Sequence, residues 1–337
     1  MSSSPCYPNP FQIKDWIERH LDGLCPPVGN KLMFGHGTEL QVMIVRGPND
    51  RSDFHVEMGE EWFYQWKGDM VLKVLIENRV FKSIIIREGE TFLLPVKMPH
   101  SPQRMPASFG IVIERQRQDN ELDYLRWYCG ACEALIYQDQ LHCTDLQTQL
   151  KPVINRFLAL PENRRCRSCH CLNVSPKPVS VLPGSDPDAL IPWPYSESYP
   201  LPFNLLARID ALGKLGPGRY PIFGNNCQFQ VIAYIGMSTG VKWRTTNEVW
   251  YLQFRGSVSF DIEPGGRGYI VCDGIMGAAR DVIKSTASDG ITSVTIREGE
   301  TFIMPPGSEF TERRSAGSAG IMVESSPSID MISSIRD

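Results

Sequence analysis

The sequence lacks the features that would place it in a membrane or on a nucleic acid. No apolar run approaches the roughly 20 residues of a membrane-spanning helix. Basic charge is not in excess: 34 Lys and Arg stand against 38 Asp and Glu in 337 residues, a formal net charge of −4. No basic face is therefore offered to phosphates. The opening residues, MSSSPCYPNPF, lack the charged-then-apolar order of a secretory leader. The expectation is a cytoplasmic protein with neither nucleic acid nor membrane as partner. Cysteine, by contrast, is plentiful. Of ten, four fall in Cys-x-x-Cys pairs, Cys129/Cys132 and Cys166/Cys169. In a reducing compartment such pairs point to a metal before disulfides.

The stretch NPFQIKDWIERHL reads as a helix, with Asn9 as its cap, Pro10 at its first position and Ile13, Trp16, Ile17 and Leu21 on one apolar face. The pattern then changes. LQVMIVR, EWFYQWKG, MVLKVLI, VFKSIIIR, TFLLP and GIVIER are short runs rich in β-branched and aromatic residues, punctuated by Gly, Pro, Asn and Asp. They read as antiparallel strands of a sandwich or barrel. Residues 119–172 form a mixed appendage with one helix, and residues 173–202, with eight prolines in thirty positions, an extended linker.

Beyond the linker the first pattern returns. MFGHGTELQVMIV is echoed by IFGNNCQFQVIAY, EEWFYQWKGDMVLKV by NEVWYLQFRGSVSFDI, IREGETFLLP by IREGETFIMP, GIVIER by GIMVES, and FQIKDWIERHL by FNLLARIDAL. The offset is 189 at Phe34/Phe223, 188 at Trp62/Trp250 and 210 at Gly89/Gly299, so 22 residues (210 less 188) are inserted late in the second copy. The expected plan is mainly β: a barrel over 1–118, the appendage over 119–172, the linker over 173–202 and a second barrel over 203–337.

His55 and Glu61 flank VEMGE, read as a tight turn that brings both side chains to one face, and His100 follows the later strand TFLLP. Taken alone, each His reads more readily as a solvated loop residue. Together, two His and a Glu on a barrel's inner wall make the facial triad of non-haem Fe(II) oxygenases, with positions left for substrate and oxygen. The duplication supplies an internal control. Trp243, Val249 and Phe310 stand at the equivalent positions, so the three polar residues were replaced as a set and the second copy should be metal-free there. Arg51 lies four residues before His55 and Arg104 four after His100, an even step that in extended chain shares a face. Two buried guanidiniums need anions; Glu114 could meet one and a substrate carboxylate the other. A surface ion-pair cluster is the plainer alternative.

Gly47, His55, Glu61 and Gly68, followed by Gly89, Pro95 and His100, resemble the two cupin motifs, with Glu57 where many cupins have a second His. GPNDRSDFHVEMGEEWFYQWKGDMVLKV, FLLPVKMPHSPQR and VIERQR closely resemble the 3-hydroxyanthranilate 3,4-dioxygenase family, and PPVGNKLM, containing Asn30, fits it too. The resemblance implies a bicupin, two antiparallel jelly-roll β-barrels with a four-cysteine metal-binding appendage between them. It implies Fe(II) on His55, Glu61 and His100. Substrate contacts would come from Arg51, Arg104, Glu114, Asn30 and Glu61, with Arg51, Arg104 and Glu114 catalytic and Arg51 also at the oxygen site. A second iron, or zinc, would sit on Cys129, Cys132, Cys166 and Cys169, as in bacterial-type members; His170, Cys171 and Glu57 remain open as further ligands. The implied reaction opens the ring of 3-hydroxyanthranilate with O2 to give 2-amino-3-carboxymuconate semialdehyde, in the kynurenine route to quinolinate and NAD. The alternatives are a cupin dioxygenase for another small aromatic acid and a non-catalytic metal-binding cupin. Animal members have the two-cupin plan, so an internal pseudo-dimer is expected before a homodimer.

Overall fold

The computed structural model describes residues 7–26, 29–49, 51–77, 80–173, 188, 190–224, 226–263, 271–272 and 292–325. The late insertion of the second copy lies outside them except for a two-residue strand, Val271–Cys272. Each short apolar run of the first copy forms a strand: Leu40–Arg46, Glu61–Lys67, Met70–Ile76, Val80–Ile86, Glu90–Leu94 and Phe109–Arg115. β-branched and aromatic side chains favour such pleated, half-buried surfaces. The described residues are mainly β, in sheets of mostly antiparallel strands.

The first barrel has two six-stranded sheets. One runs in the order Leu135–Leu141, Asp123–Tyr128, Phe54–Val56, His100–Arg104, Met70–Ile76, Val80–Ile86. The other runs Phe203–Asn204, Glu90–Leu94, Glu61–Lys67, Phe109–Arg115, Leu40–Arg46, Asn30–Leu32. Trp62, Phe92 and Ile111 are fully buried in it. The turn after His55 is therefore not a hairpin. Phe54–Val56 and Glu61–Lys67 lie in different sheets, and the intervening residues carry the chain round a corner. A local turn sequence does not specify which sheet receives the next strand.

The appendage begins as part of this barrel. Asp123–Tyr128 pairs on one side with Phe54–Val56 and on the other with Leu135–Leu141. A helix, Leu146–Ala159, follows; Asp145 caps it by accepting from Gln147 N at 2.9 Å. Its Phe157 stacks on Trp127 at 4.3 Å.

By contact the chain divides into two compact units. Residues 21–31 and 42–204 make one; residues 1–20, 32–41 and 205–337 make the other. The first barrel, expected over 1–118, thus shares its unit with residues up to 204, while residues 1–20 and 32–41 group with the other unit. Phe11–Gln12 forms an edge strand of the second barrel, pairing with Thr301 and Glu300. Phe203–Asn204 does the same in the first, pairing with Thr91 and Glu90. The opening helix spans Ile13–His20, not from Pro10, because Phe11 and Gln12 are drawn into that strand and Ile13 N donates to Gly299 O at 3.1 Å. Ile13, Trp16 and Ile17 are buried as expected.

The linker also differs from expectation. Its described part packs on the first barrel's unit. Trp193 is buried 5.8 Å from Phe92, and its Nε1 donates to Tyr199 O at 2.7 Å. Tyr199 donates to Glu60 at 2.7 Å, and Lys82 donates to the carbonyls of Asp188 and Ile191 at 2.7 and 2.9 Å. Proline limits the freedom of the unfolded chain, so docking such a segment costs less entropy.

The second barrel keeps the architecture around Tyr251, Phe260, Phe302 and Phe310. Its register repeats that of the first: Trp243 pairs with Phe310 as His55 pairs with His100, and Val249 with Met304 as Glu61 with Leu94. Among the described residues no helix is long and apolar enough to cross a membrane. Trp193→Ala should destabilise the first unit by about 3–5 kcal/mol, the usual range for emptying a buried Trp site. Urea denaturation measures this, and an unchanged midpoint would mean that the segment does not stabilise the barrel.

Candidate metal centre and its surroundings

His55 and His100 are direct partners across one sheet, their rings 5.4 Å apart. Glu61 reaches them from the other sheet. Its Oε1 lies 2.9 Å from His100 Nε2 and 3.7 Å from His55 Nδ1. All three residues are buried, and their ligand atoms converge within 4.8 Å. The other nitrogens are engaged. His100 Nδ1 is 3.0 Å from Met98 O, and His55 Nε2 is 2.8 Å from Asp123 Oδ2. These hydrogen bonds select tautomers in which His100 Nε2 and His55 Nδ1 carry the lone pairs. The donor set is that of a two-His, one-carboxylate metal site.

Charge supports the fit. Asp53, Glu57, Glu61, Glu114 and Asp123 are buried here against Arg51, Arg104 and Arg117, an excess of two negative charges that one divalent cation cancels. Without the cation, protons must serve. Burial and the neighbouring carboxylates raise the Glu57 and Glu114 carboxyls despite Arg117. Burial would lower His55, but hydrogen bonds with Asp123 and Glu61 outweigh it and hold it up at about 9. Glu61 is held low against its burial by the two imidazoles.

The arginines divide differently from the sequence expectation. Arg51 forks onto Asp53, with Nε 3.0 Å from Oδ1 and Nη2 bonded to Oδ2. Glu114 is bonded by neither Arg51 nor Arg104; Arg117 Nη1 donates to it at 2.5 Å. Arg117 also pairs with Glu57 and forks onto Asp123 at 3.1 and 2.8 Å. Arg104 shares the strand His100–Arg104 with His100, so the even step holds through Pro102. It is buried, yet it pairs with no carboxylate among the described residues. Among the described residues its side chain makes one hydrogen bond, a long one from Nη1 to Gln65 at 3.4 Å, and Nε has no partner. Burial and Arg51 therefore press its pKa down to about 10, despite attraction to Glu61. Gly110 makes room for it: a Cβ there would lie 2.5 Å from Arg104 Nη1. Asn30 is buried with its Oδ1 unpartnered, and no hydrogen bond joins it to the triad.

Position 314 corresponds to 104 at the offset of 210. There Arg314 has a carboxylate, Glu312, 3.3 Å from its Nε. In the first barrel Pro102 stands where Glu312 would be. The second barrel also stacks Arg219 over Trp243, at 3.7 Å from the ring centroid.

The four cysteines of the Cys-x-x-Cys pairs converge as well. Cys129 and Cys169 sulfurs lie 3.5 Å apart, as do those of Cys132 and Cys166. A disulfide needs about 2.05 Å, whereas a tetrahedral site with metal–sulfur bonds of about 2.3 Å places sulfurs about 3.8 Å apart. Ala131 N and Ser168 N each point at a sulfur at 3.4 Å. Burial would raise Cys129, but the backbone donors of Ala131 and Cys132 hold it down to about 6. Cys166 is also lowered, first by the Cys169 N–H. His170 and Cys171 do not join the converging atoms. Glu57 belongs to a separate grouping with Glu61 and Glu114.

A family model for 3-hydroxyanthranilic acid dioxygenase matches residues 7–158. The rat 3-hydroxyanthranilate 3,4-dioxygenase is 34% identical over 94% of this chain and 96% of its own length. The chain belongs to the 3-hydroxyanthranilate 3,4-dioxygenase family. The human relative of that name is 38% identical over 73% of this chain and 80% of its own. That of Neurospora crassa is 42% identical over 51% of this chain and 95% of its own. Among solved structures, a Bacillus subtilis oxalate decarboxylase mutant aligns over the whole chain at 15% identity and a TM-score of 0.47.

Sequence reasoning missed Asp53, Gln65, Gly110, Arg117 and Asp123. Arg117 lies inside VIERQR, but its spacing alone gave it no role. With both centres loaded by metal, Cys129→Ser should remove one metal and His100→Ala the other. Metal analysis of the folded variants checks this; loss of both metals in either variant would contradict two independent sites.

Proposed function

We propose that the first barrel catalyses the Fe(II)-dependent opening of 3-hydroxyanthranilate by O2, giving 2-amino-3-carboxymuconate semialdehyde for quinolinate and NAD synthesis. The cytoplasm is the proposed compartment. The observation that carries the reading is Arg104, a buried guanidinium beside a His2Glu triad with no protein carboxylate of its own. An unpaired buried charge is costly, and a substrate carboxylate offsets that cost with a charge-assisted contact. The relatives' shared name supports the same substrate.

His55 Nδ1, Glu61 and His100 Nε2 are the groups that would hold iron. When bound, Fe(II) supplies a redox-active Lewis acid that brings an aromatic substrate and O2 together. The protein's part is positioning and proton control. Arg104 receives the substrate carboxylate. Arg51, fixed by Asp53, adds positive potential on the substrate and oxygen side. Glu114, its carboxyl raised by burial, takes a proton from the ring hydroxyl or amine. Asn30 offers its free buried acceptor, Oδ1, to a substrate donor. Triad burial keeps bulk water from the reacting groups. A metal-storing protein has no need of such a clamp, and an enzyme for another aromatic acid would still need an ortho-aminophenol or catechol to approach the triad in this way. We also propose that the second barrel, with Trp243, Val249 and Phe310 in place of the triad, is catalytically silent.

Arg104→Ala tests the clamp. Loss of a charge-assisted contact is worth about 1.5–3 kcal/mol, so kcat/KM for 3-hydroxyanthranilate should fall roughly ten- to a hundredfold. The rate with 2-aminophenol, which lacks the carboxylate, should change little. Gly110→Ala should act in the same direction by displacing the guanidinium. Equal losses on both compounds would rule out Arg104 as the carboxylate partner.

A further inference from the structure

We propose that Asp123 and Arg117 are positioning residues for the catalytic metal: Asp123 holds the His55 ring and Arg117 holds Asp123. The inference deepens the reading above and rests on it.

The two imidazoles are secured in different ways. His100 is held by Met98 O, a backbone group two residues away that the strand itself fixes. His55 is held by a side chain 68 residues away in sequence, Asp123, at 2.8 Å from its Nε2. Register makes that contact. The strand Asp123–Tyr128 runs antiparallel to Phe54–Val56 with Leu125 opposite His55, which leaves Asp123 at the diagonal position, within reach of a long side chain. Asp123 is fully buried, and the Arg117 fork fixes both its oxygens. The same guanidinium ties Glu57 and Glu114, so the carboxylate that orients His55 and the one assigned to proton transfer share a single cation. Without Asp123 the ring would keep its strand position but lose the bond that selects the Nδ1 lone pair, and rotation would become free.

A plainer role is possible for Asp123, as a counter-ion for Arg117 with no bearing on the metal. Iron affinity separates the two. Full-length Asp123→Ala and Asp123→Asn are titrated with Fe(II) against a chelator under anaerobic conditions, with the four-cysteine metal counted as an internal control. Outer contacts to ligating His are worth about 10- to 100-fold in metal affinity. Asp123→Ala should weaken iron binding by that factor. Asp123→Asn, which keeps the shape and an acceptor oxygen but loses the charge, should show a smaller weakening. The cysteine-bound metal should be retained. With the triad saturated, kcat should fall while KM for the substrate holds, since Arg104 is untouched. Folded Asp123→Ala that binds Fe(II) as tightly as the native chain overturns the proposal. If that variant does not fold, unchanged affinity in Asp123→Asn overturns it equally. Failure of the functional reading looks different: native, iron-loaded protein would not consume 3-hydroxyanthranilate, whatever the affinities.

Discussion

An excess of buried negative charge is the constraint on which the first barrel depends. Burying a carboxylate is expensive unless a cation or hydrogen-bond donors answer it. Five carboxylates cluster around the triad, and three guanidiniums answer only part of their charge. Arg51 is committed to Asp53, and Arg117 is divided among Glu57, Glu114 and Asp123. What remains is Glu61 between two imidazoles, and Arg104 a little apart with no carboxylate. Under the function proposed above, a divalent ion would answer Glu61 and the substrate carboxylate would answer Arg104, two ligands of opposite sign.

The second barrel shows what happens when that demand is lifted. Its strands keep the register of the first although the three ligand-type residues are replaced. Apolar groups stand at the ligand positions, and Val249 and Phe310 join the core. Arg314 persists where Arg104 would be, but Glu312 now pairs with it, and Arg219 pairs with Glu312 in turn. The guanidinium at this position is answered from within its own barrel. The contrast at one pair of positions, Pro102 against Glu312, separates an arginine with no paired carboxylate among the described residues from one with a carboxylate 3.3 Å from its Nε.

Much of this is legible in the sequence alone. Spacing and duplication brought His55, Glu61 and His100 together, and strand parity linked Arg104 to His100. The parts that were not legible share a cause. Asp123 meets His55 across 68 residues, and Gln65 meets Arg104 across 39; periodicity along one strand is silent about its neighbour across the sheet. The turn after Val56 looked like a hairpin because a turn sequence records the reversal and not the destination. The proline count reads residues 173–202 as an extended, unpacked linker, because such a count does not register that Trp193 finds a pocket beside Phe92. Arg117 was visible only as a letter in a motif, since its importance lies in three partners delivered by different segments.

The exchanged edge strands carry a consequence for how the chain is made. Phe203–Asn204 completes a sheet whose other strands are all translated earlier, and Phe11–Gln12 waits for Glu300 and Thr301. A nascent first barrel emerging from the ribosome therefore has an unpaired edge at Glu90–Leu94 until the ribosome has passed the linker. The second barrel, when its turn comes, finds its last strand already synthesised. Backbone hydrogen bonds left open at an edge invite pairing with other chains. The prolines just upstream of Phe203 limit the conformations open to that segment, and the native contacts of Trp193 and Tyr199 hold it against the first barrel's unit, so both should shorten the search for that last strand.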